Sequence, residues 1–119
     1  MTIQEIVADI HTKQPQLRSV FFVGCGASMS DLFPAKYFLE KNAKVLRTSL
    51  YTANNFIYST PVSVDDTAVV VTCSLSGGTP ESVAATKLAV SKGAHVISIT
   101  NKAGSPLDVE ANYCILHGF

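Results

Sequence analysis

Three hydroxyls and two glycines crowd into six residues, Ser74-Leu75-Ser76-Gly77-Gly78-Thr79, with Pro80-Glu81 following. An apolar β-branched run, Thr67-Ala68-Val69-Val70-Val71-Thr72, precedes them, and a helical pattern runs from Glu81 to Lys92. The stretch therefore reads as strand, tight turn and helix N-terminus. The first turn of a helix leaves backbone N–H groups without intrahelical partners, and the macrodipole adds about half a positive charge there. Glycines let the backbone curl close to a guest, and hydroxyls supply further donors. The chemistry implied is a grip on a phosphate monoester by uncharged donors. Helix capping alone accounts for Thr79 as N-cap and Pro80 at the first helical position, but not for Ser74, Ser76 and the paired glycines together.

A second small-residue turn, Gly24-Cys25-Gly26-Ala27-Ser28, follows the apolar run Ser19-Val20-Phe21-Phe22-Val23. Gly24-x-Gly26 invites a dinucleotide reading, which fails: the third glycine position is Met29, and no acidic residue closes the second strand. Neither turn carries the Gly-Lys-Ser/Thr of a nucleotide P-loop, so no cofactor is expected. Three cysteines, Cys25, Cys73 and Cys114, lack the spacing of a zinc site or a disulfide framework and read as packing residues. Cys25 and Cys73 would end neighbouring strands, which leaves an oxidised pair conceivable. Of the histidines, His11 and His95 lie away from these turns. His117 falls on the same edge but reads as a terminal residue. Asp65-Asp66 reads as a solvated turn. Spacing alone suggests no Ser-His-Asp or Cys-His set and no metal site, so the catalytic residues are unassigned.

These turns need a scaffold. Ile3, Ile6, Val7 and Ile10 predict a helix over 2–13, with Thr2 and Glu5 in capping-box form. Strands are expected at 19–23, 44–50, 67–72, 95–100 and 112–116. Helices are expected at 28–42 (with a kink or late start at Pro34), 52–58, 81–92 ending at Gly93, and from Pro106. Alternation of strand and helix implies parallel pairing through right-handed crossovers. The expected architecture is α/β: a three-layer αβα sandwich around a five-stranded parallel sheet of flavodoxin-like order 2-1-3-4-5. Ligands in such sheets bind beyond the carboxyl ends of the strands, at the switch between the first and third. Both turns follow those two strands.

The 119 residues suffice for one domain, with residues 1–18 as helix and linker and 19–117 as the αβ core; 47% hydrophobic and 15% charged content excludes disorder. Nine basic residues balance nine acidic ones, without the basic excess of a nucleic-acid binder. No apolar run reaches membrane-spanning length and no secretory signal opens the chain, so a cytoplasmic location is expected. The helices at 28–42 and 81–92 are apolar on more than one side, which implies a second covering surface, from another subunit or a further domain.

Gly24-Cys25-Gly26-Ala27-Ser28 and Ser74-Leu75-Ser76-Gly77-Gly78-Thr79-Pro80-Glu81, at this separation, resemble the SIS (sugar isomerase) domain of phosphosugar-binding proteins. The likeness runs from about Val20 to Leu116. Phe33-Pro34-Ala35-Lys36-x-Phe38-Leu39-Glu40-Lys41 further resembles the first half of bacterial fructosamine 6-phosphate and fructose-asparagine deglycases, cytosolic enzymes with two tandem SIS domains. The resemblance implies that Ser28, Ser74, Ser76 and Thr79 hold a sugar phosphate, with Gly26, Leu75, Gly77 and Gly78 lining the same site. It implies as ligand a phosphorylated sugar or sugar–amino-acid adduct, and as partner a second SIS domain or a second copy in a homodimer. Asn54-Asn55 stands where such relatives often carry Glu before the aromatic residue at 56. The catalytic Glu and His of the resembled deglycases lie in their second half. The chain is thus expected to be a first domain that binds with little or no turnover. The alternative is a sugar-phosphate sensor module of a regulatory protein, although no helix-turn-helix precedes the first strand.

Overall fold

The computed structural model describes residues 2–25, 32, 36, 37 and 46–116. Five strands, β1 (Ser19–Gly24), β2 (Arg47–Thr52), β3 (Ala68–Cys73), β4 (His95–Thr100) and β5 (Tyr113–Leu116), form one sheet in the order β2-β1-β3-β4-β5. Every pairing is parallel. The helices are α1 (Ile3–Lys13), α2 (Ala53–Tyr58), α3 (Pro80–Ser91) and α4 (Pro106–Glu110). The expected sheet order and αβα layering are therefore the observed ones.

Alternate side chains of a strand face opposite sides of the sheet, and two cores result. Phe21, Val23, Val70 and Val96 pack on one face with Ala53 and Phe56 of α2 and Ala85 and Ala89 of α3. Val20, Phe22 and Val69 pack on the other with Ile6 and Ile10 of α1 and Leu32. All six residues of β1 are buried, as a central strand covered on both faces requires. The helix expected over 28–42 falls outside the described residues except at Leu32, Lys36 and Tyr37, which are helical.

Local signals set most boundaries. Thr2 and Glu5 form the capping box of α1, with Glu5 N–H to Thr2 Oγ1 at 3.1 Å and Thr2 N–H to Glu5 Oε1 at 2.9 Å. Gly93, at φ +86°, stops the chain after α3. β2 runs over Arg47–Thr52, two residues past the expected end at Leu50, while 44 and 45 of the expected strand lie outside the described residues. Thr52 ends it by accepting from Asn55 N–H at 3.2 Å and so capping α2, a local bond that propensity counting along an edge strand does not register.

The inward face of α3 also differs from the sequence pattern. Its buried residues are Ser82, Ala85, Thr86 and Ala89, while Ala84 is exposed. Two hydroxyls thus face the sheet, and both are satisfied. Thr86 Oγ1 lies 2.9 Å from the Ser82 carbonyl oxygen and 3.0 Å from Thr72 Oγ1, while Ser82 Oγ approaches Cys25 Sγ at 3.8 Å.

Candidate anion-binding site

The site is built where β3 ends. Ser74 is buried, and its hydroxyl organises the turn: it lies 2.8 Å from Thr79 Oγ1 and accepts from Gly77 N–H at 3.2 Å. Thr79 occupies the N-cap position of α3 without capping it, because its hydroxyl is turned to Ser74 instead. Ser76 is exposed and accepts from Gly78 N–H at 3.3 Å. Leu75, half-exposed, stands at the outer edge of the turn.

The backbone of this turn is polarised. Two of its carbonyls, those of Leu75 and Gly77, point back into the domain. Leu75 O accepts from Asn101 N–H and from Thr100 Oγ1, each at 3.2 Å, and Gly77 O accepts from Leu107 N–H at 2.9 Å. The N–H groups of Leu75, Ser76 and Thr79 have no acceptor among the described residues. Those of Glu81 and Ser82 are the ordinary unpaired donors of a first helical turn. Carbonyls held inward and amides left unpaired are the arrangement that receives an anion. Among the candidate residues on this turn no side chain is cationic, and the nearby Glu81 brings the one formal charge.

Gly24 and Cys25, which open the first turn, lie at the same edge of the sheet as the second. β1 and β3 pair with Val23 opposite Thr72, which sets Gly24 and Cys25 beside the end of β3. The contact of Cys25 with Ser82 then joins the first turn to the opening of α3. Of the expected site residues, Ser74, Leu75, Ser76, Gly77, Gly78 and Thr79 are together on one loop; Gly26 and Ser28 lie outside the described residues, as does His117. The cysteines are free thiols. Among the described residues no cluster of His, Cys, Asp or Glu is placed to hold a metal ion, and no helix is long and apolar enough to cross a membrane.

Sequence reading missed the supports. Thr100, Asn101 and Leu107 hold the loop carbonyls, yet they come from the β4–α4 connection, where the sequence signals only a loop and a helix start. A different cleft, of about 620 Å³, runs beside β2 and is lined by Arg18, Arg47, Ser49, Tyr51, Ser63 and Asp65 among others. It contains the N-terminal ends of β1 and β2, away from the switch point of the sheet. Its charges are mixed, and the Asp65 carboxyl is held below its usual range by the Thr67 hydroxyl and N–H.

Comparison with known proteins bears on the family and the fold. Fructosamine deglycase FrlB of Bacillus subtilis is 40% identical over 111 residues, 93% of this chain and 33% of the relative. The glutamine–fructose-6-phosphate aminotransferase (isomerizing) of Clostridium tetani is 34% identical over 97 residues, 82% of this chain and 16% of the relative. A crystal structure from Salmonella typhimurium LT2, provisionally designated a phosphosugar isomerase, superposes with a TM-score of 0.95 at 35% identity, covering 100% of this chain and 37% of that one. The chain thus spans between 16% and 37% of the length of these relatives. The profile of the SIS domain matches residues 16–117, and the chain belongs to the SIS domain family.

Proposed function

We propose that this chain is a phosphosugar-binding SIS domain, the N-terminal half of a deglycase or isomerase acting on a phosphorylated sugar or sugar–amino-acid adduct. The observation that carries the reading is the polarity of the 74–79 loop: carbonyls tied back to the β4–α4 segment, and N–H groups of Leu75, Ser76 and Thr79 left for a guest. In this reading Ser76 and Thr79 give hydroxyl bonds to the phosphate, Gly77 and Gly78 allow the backbone to approach it, and Ser74 holds Thr79 in place. Gly26 and Ser28 complete the site from the turn after β1. Acid–base groups for proton movement next to the sugar carbonyl come from a second SIS domain, in the same protein or in a partner copy. A cytoplasmic setting fits the intracellular occurrence of sugar phosphates.

Thermal unfolding and calorimetric titration test this directly. Fructose 6-phosphate at 100 times its dissociation constant should add about 2.7 kcal/mol of stability, whereas NAD should add none. Replacing both Ser76 and Thr79 with Ala should weaken fructose 6-phosphate binding by about 10- to 100-fold, since hydrogen bonds to a charged group are removed. An unchanged affinity in that double variant would sink the assignment.

A further inference from the structure

The anion loop rests on a floor, and one floor residue is unexplained by the fold. Ser105 is 4% exposed, and its Oγ has no hydrogen-bond partner among the described residues. It stands at the N-cap position of α4 but makes no capping bond. A Cβ built on Gly77 would lie 2.1 Å from Ser105 Oγ and 2.8 Å from Thr100 Oγ1. Two hydroxyls therefore press on the Gly77 Cα from the same side. Thr100 uses its hydroxyl on the Leu75 carbonyl; Ser105 does not use its own. A buried hydroxyl without a partner is a liability that alanine would not carry.

Resting on the phosphosugar reading above, we propose that Ser105 is a positioning residue of the anion loop, donating to the loop backbone in its ligand-engaged arrangement. The Gly77 N–H is turned inward, to Ser74 O and Oγ at 3.2 Å each. Glycine at 77 makes rotation of the Ser76–Gly77 peptide sterically cheap. That rotation turns the Gly77 N–H outward to an anion and the Ser76 carbonyl inward, where the Ser105 hydroxyl accommodates it. The ligand gains one donor and one buried hydroxyl is satisfied, in exchange for the contacts of Gly77 N–H with Ser74 O and Oγ.

The test uses the full chain with fructose 6-phosphate as probe. Ser105→Ala should unfold at the same or a higher urea concentration than the parent, yet bind about tenfold more weakly, the loss of one hydrogen bond. Its Gly77 amide signal should no longer move on addition of the probe, while that of the parent does. Ser105→Thr, which keeps a hydroxyl, should bind within about threefold of the parent by the same argument. Parent-like affinity in Ser105→Ala, or a joint fall of affinity and stability, overturns the proposal. So does failure of Ser105→Thr to bind. If the parent itself fails to bind fructose 6-phosphate, the phosphosugar reading falls, and this inference with it.

Discussion

Two neighbouring glycines carry different burdens. Gly77 has φ +74°, and any Cβ there would collide with Ser105 and Thr100. Gly78 has no positive φ, and its nearest contact would be Ser76 Oγ at 3.9 Å. Gly77→Ala should therefore destabilise the domain by about 2 kcal/mol or more, through backbone strain and overpacking together. Gly78→Ala should stay within about 0.5 kcal/mol in stability. Urea unfolding of the two variants checks the contrast; equal effects would mean that the β4–α4 segment does not press on the loop. The sequence offers Gly77 and Gly78 as equivalents, because a turn motif encodes only local conformational freedom. What separates them arrives from Ser105, distant in the chain and adjacent only once the sheet forms. The same holds for Thr79: residue type predicts a capping side chain, and the nearby Ser74 hydroxyl diverts it.

At the level of elements, strands buried on both faces and helix stops were readable. β1 and β3 are continuous apolar runs, β4 has the bounds expected of it, and Gly93 ends α3. Edge strand β2 was harder, since it is half-buried and takes its end from a cap on the next helix. Helix α3 illustrates a subtler limit. Apolar residues on several sides suggested a second covering surface, yet the face against the sheet is partly hydroxylic, with Ser82 and Thr86 fully buried. Thr86 joins strand to helix through Thr72. Thr86→Val keeps the shape but leaves the Thr72 hydroxyl buried without that partner, so it should cost about 1–3 kcal/mol. Thr72→Val combined with Thr86→Val should recover part of the loss, because two apolar groups then meet. Chemical denaturation of the single and double variants measures the coupling, and simple additivity would disprove the link.

For the molecule as a whole, formal charge is balanced, and among the described residues the carboxylates with lowered pKa lie on the first helix and the loop before β3. Asp9 on α1 accepts from the Tyr113 hydroxyl of β5 and pairs with Lys13 at 3.1 Å, which itself lies 3.2 Å from the Tyr113 oxygen. The Tyr113 bond, then Lys13, holds the Asp9 carboxyl below its usual value of 3.8. Bonds from Thr2 do the same for Glu5, usually 4.5, and bonds from Thr67 for Asp65, usually 3.8. A carboxyl whose folded pKa is depressed adds stability above its unfolded pKa, and that contribution disappears as pH falls through the folded one. All three shifts have the same sign, so the melting temperature should be flat near neutrality and fall as pH drops below about 4. Loss of negative charge leaves a net positive chain, and self-repulsion steepens the fall. Tyr113→Phe removes the bond that contributes most to the Asp9 shift without disturbing Glu5 or Asp65. It should lower the melting temperature at pH 7 and make the acid limb shallower, the two curves converging as pH falls through the depressed folded pKa of Asp9. Parallel curves across the whole pH range would show instead that Tyr113 acts through packing alone, and that the tie between the first helix and the last strand carries no charge-dependent stability.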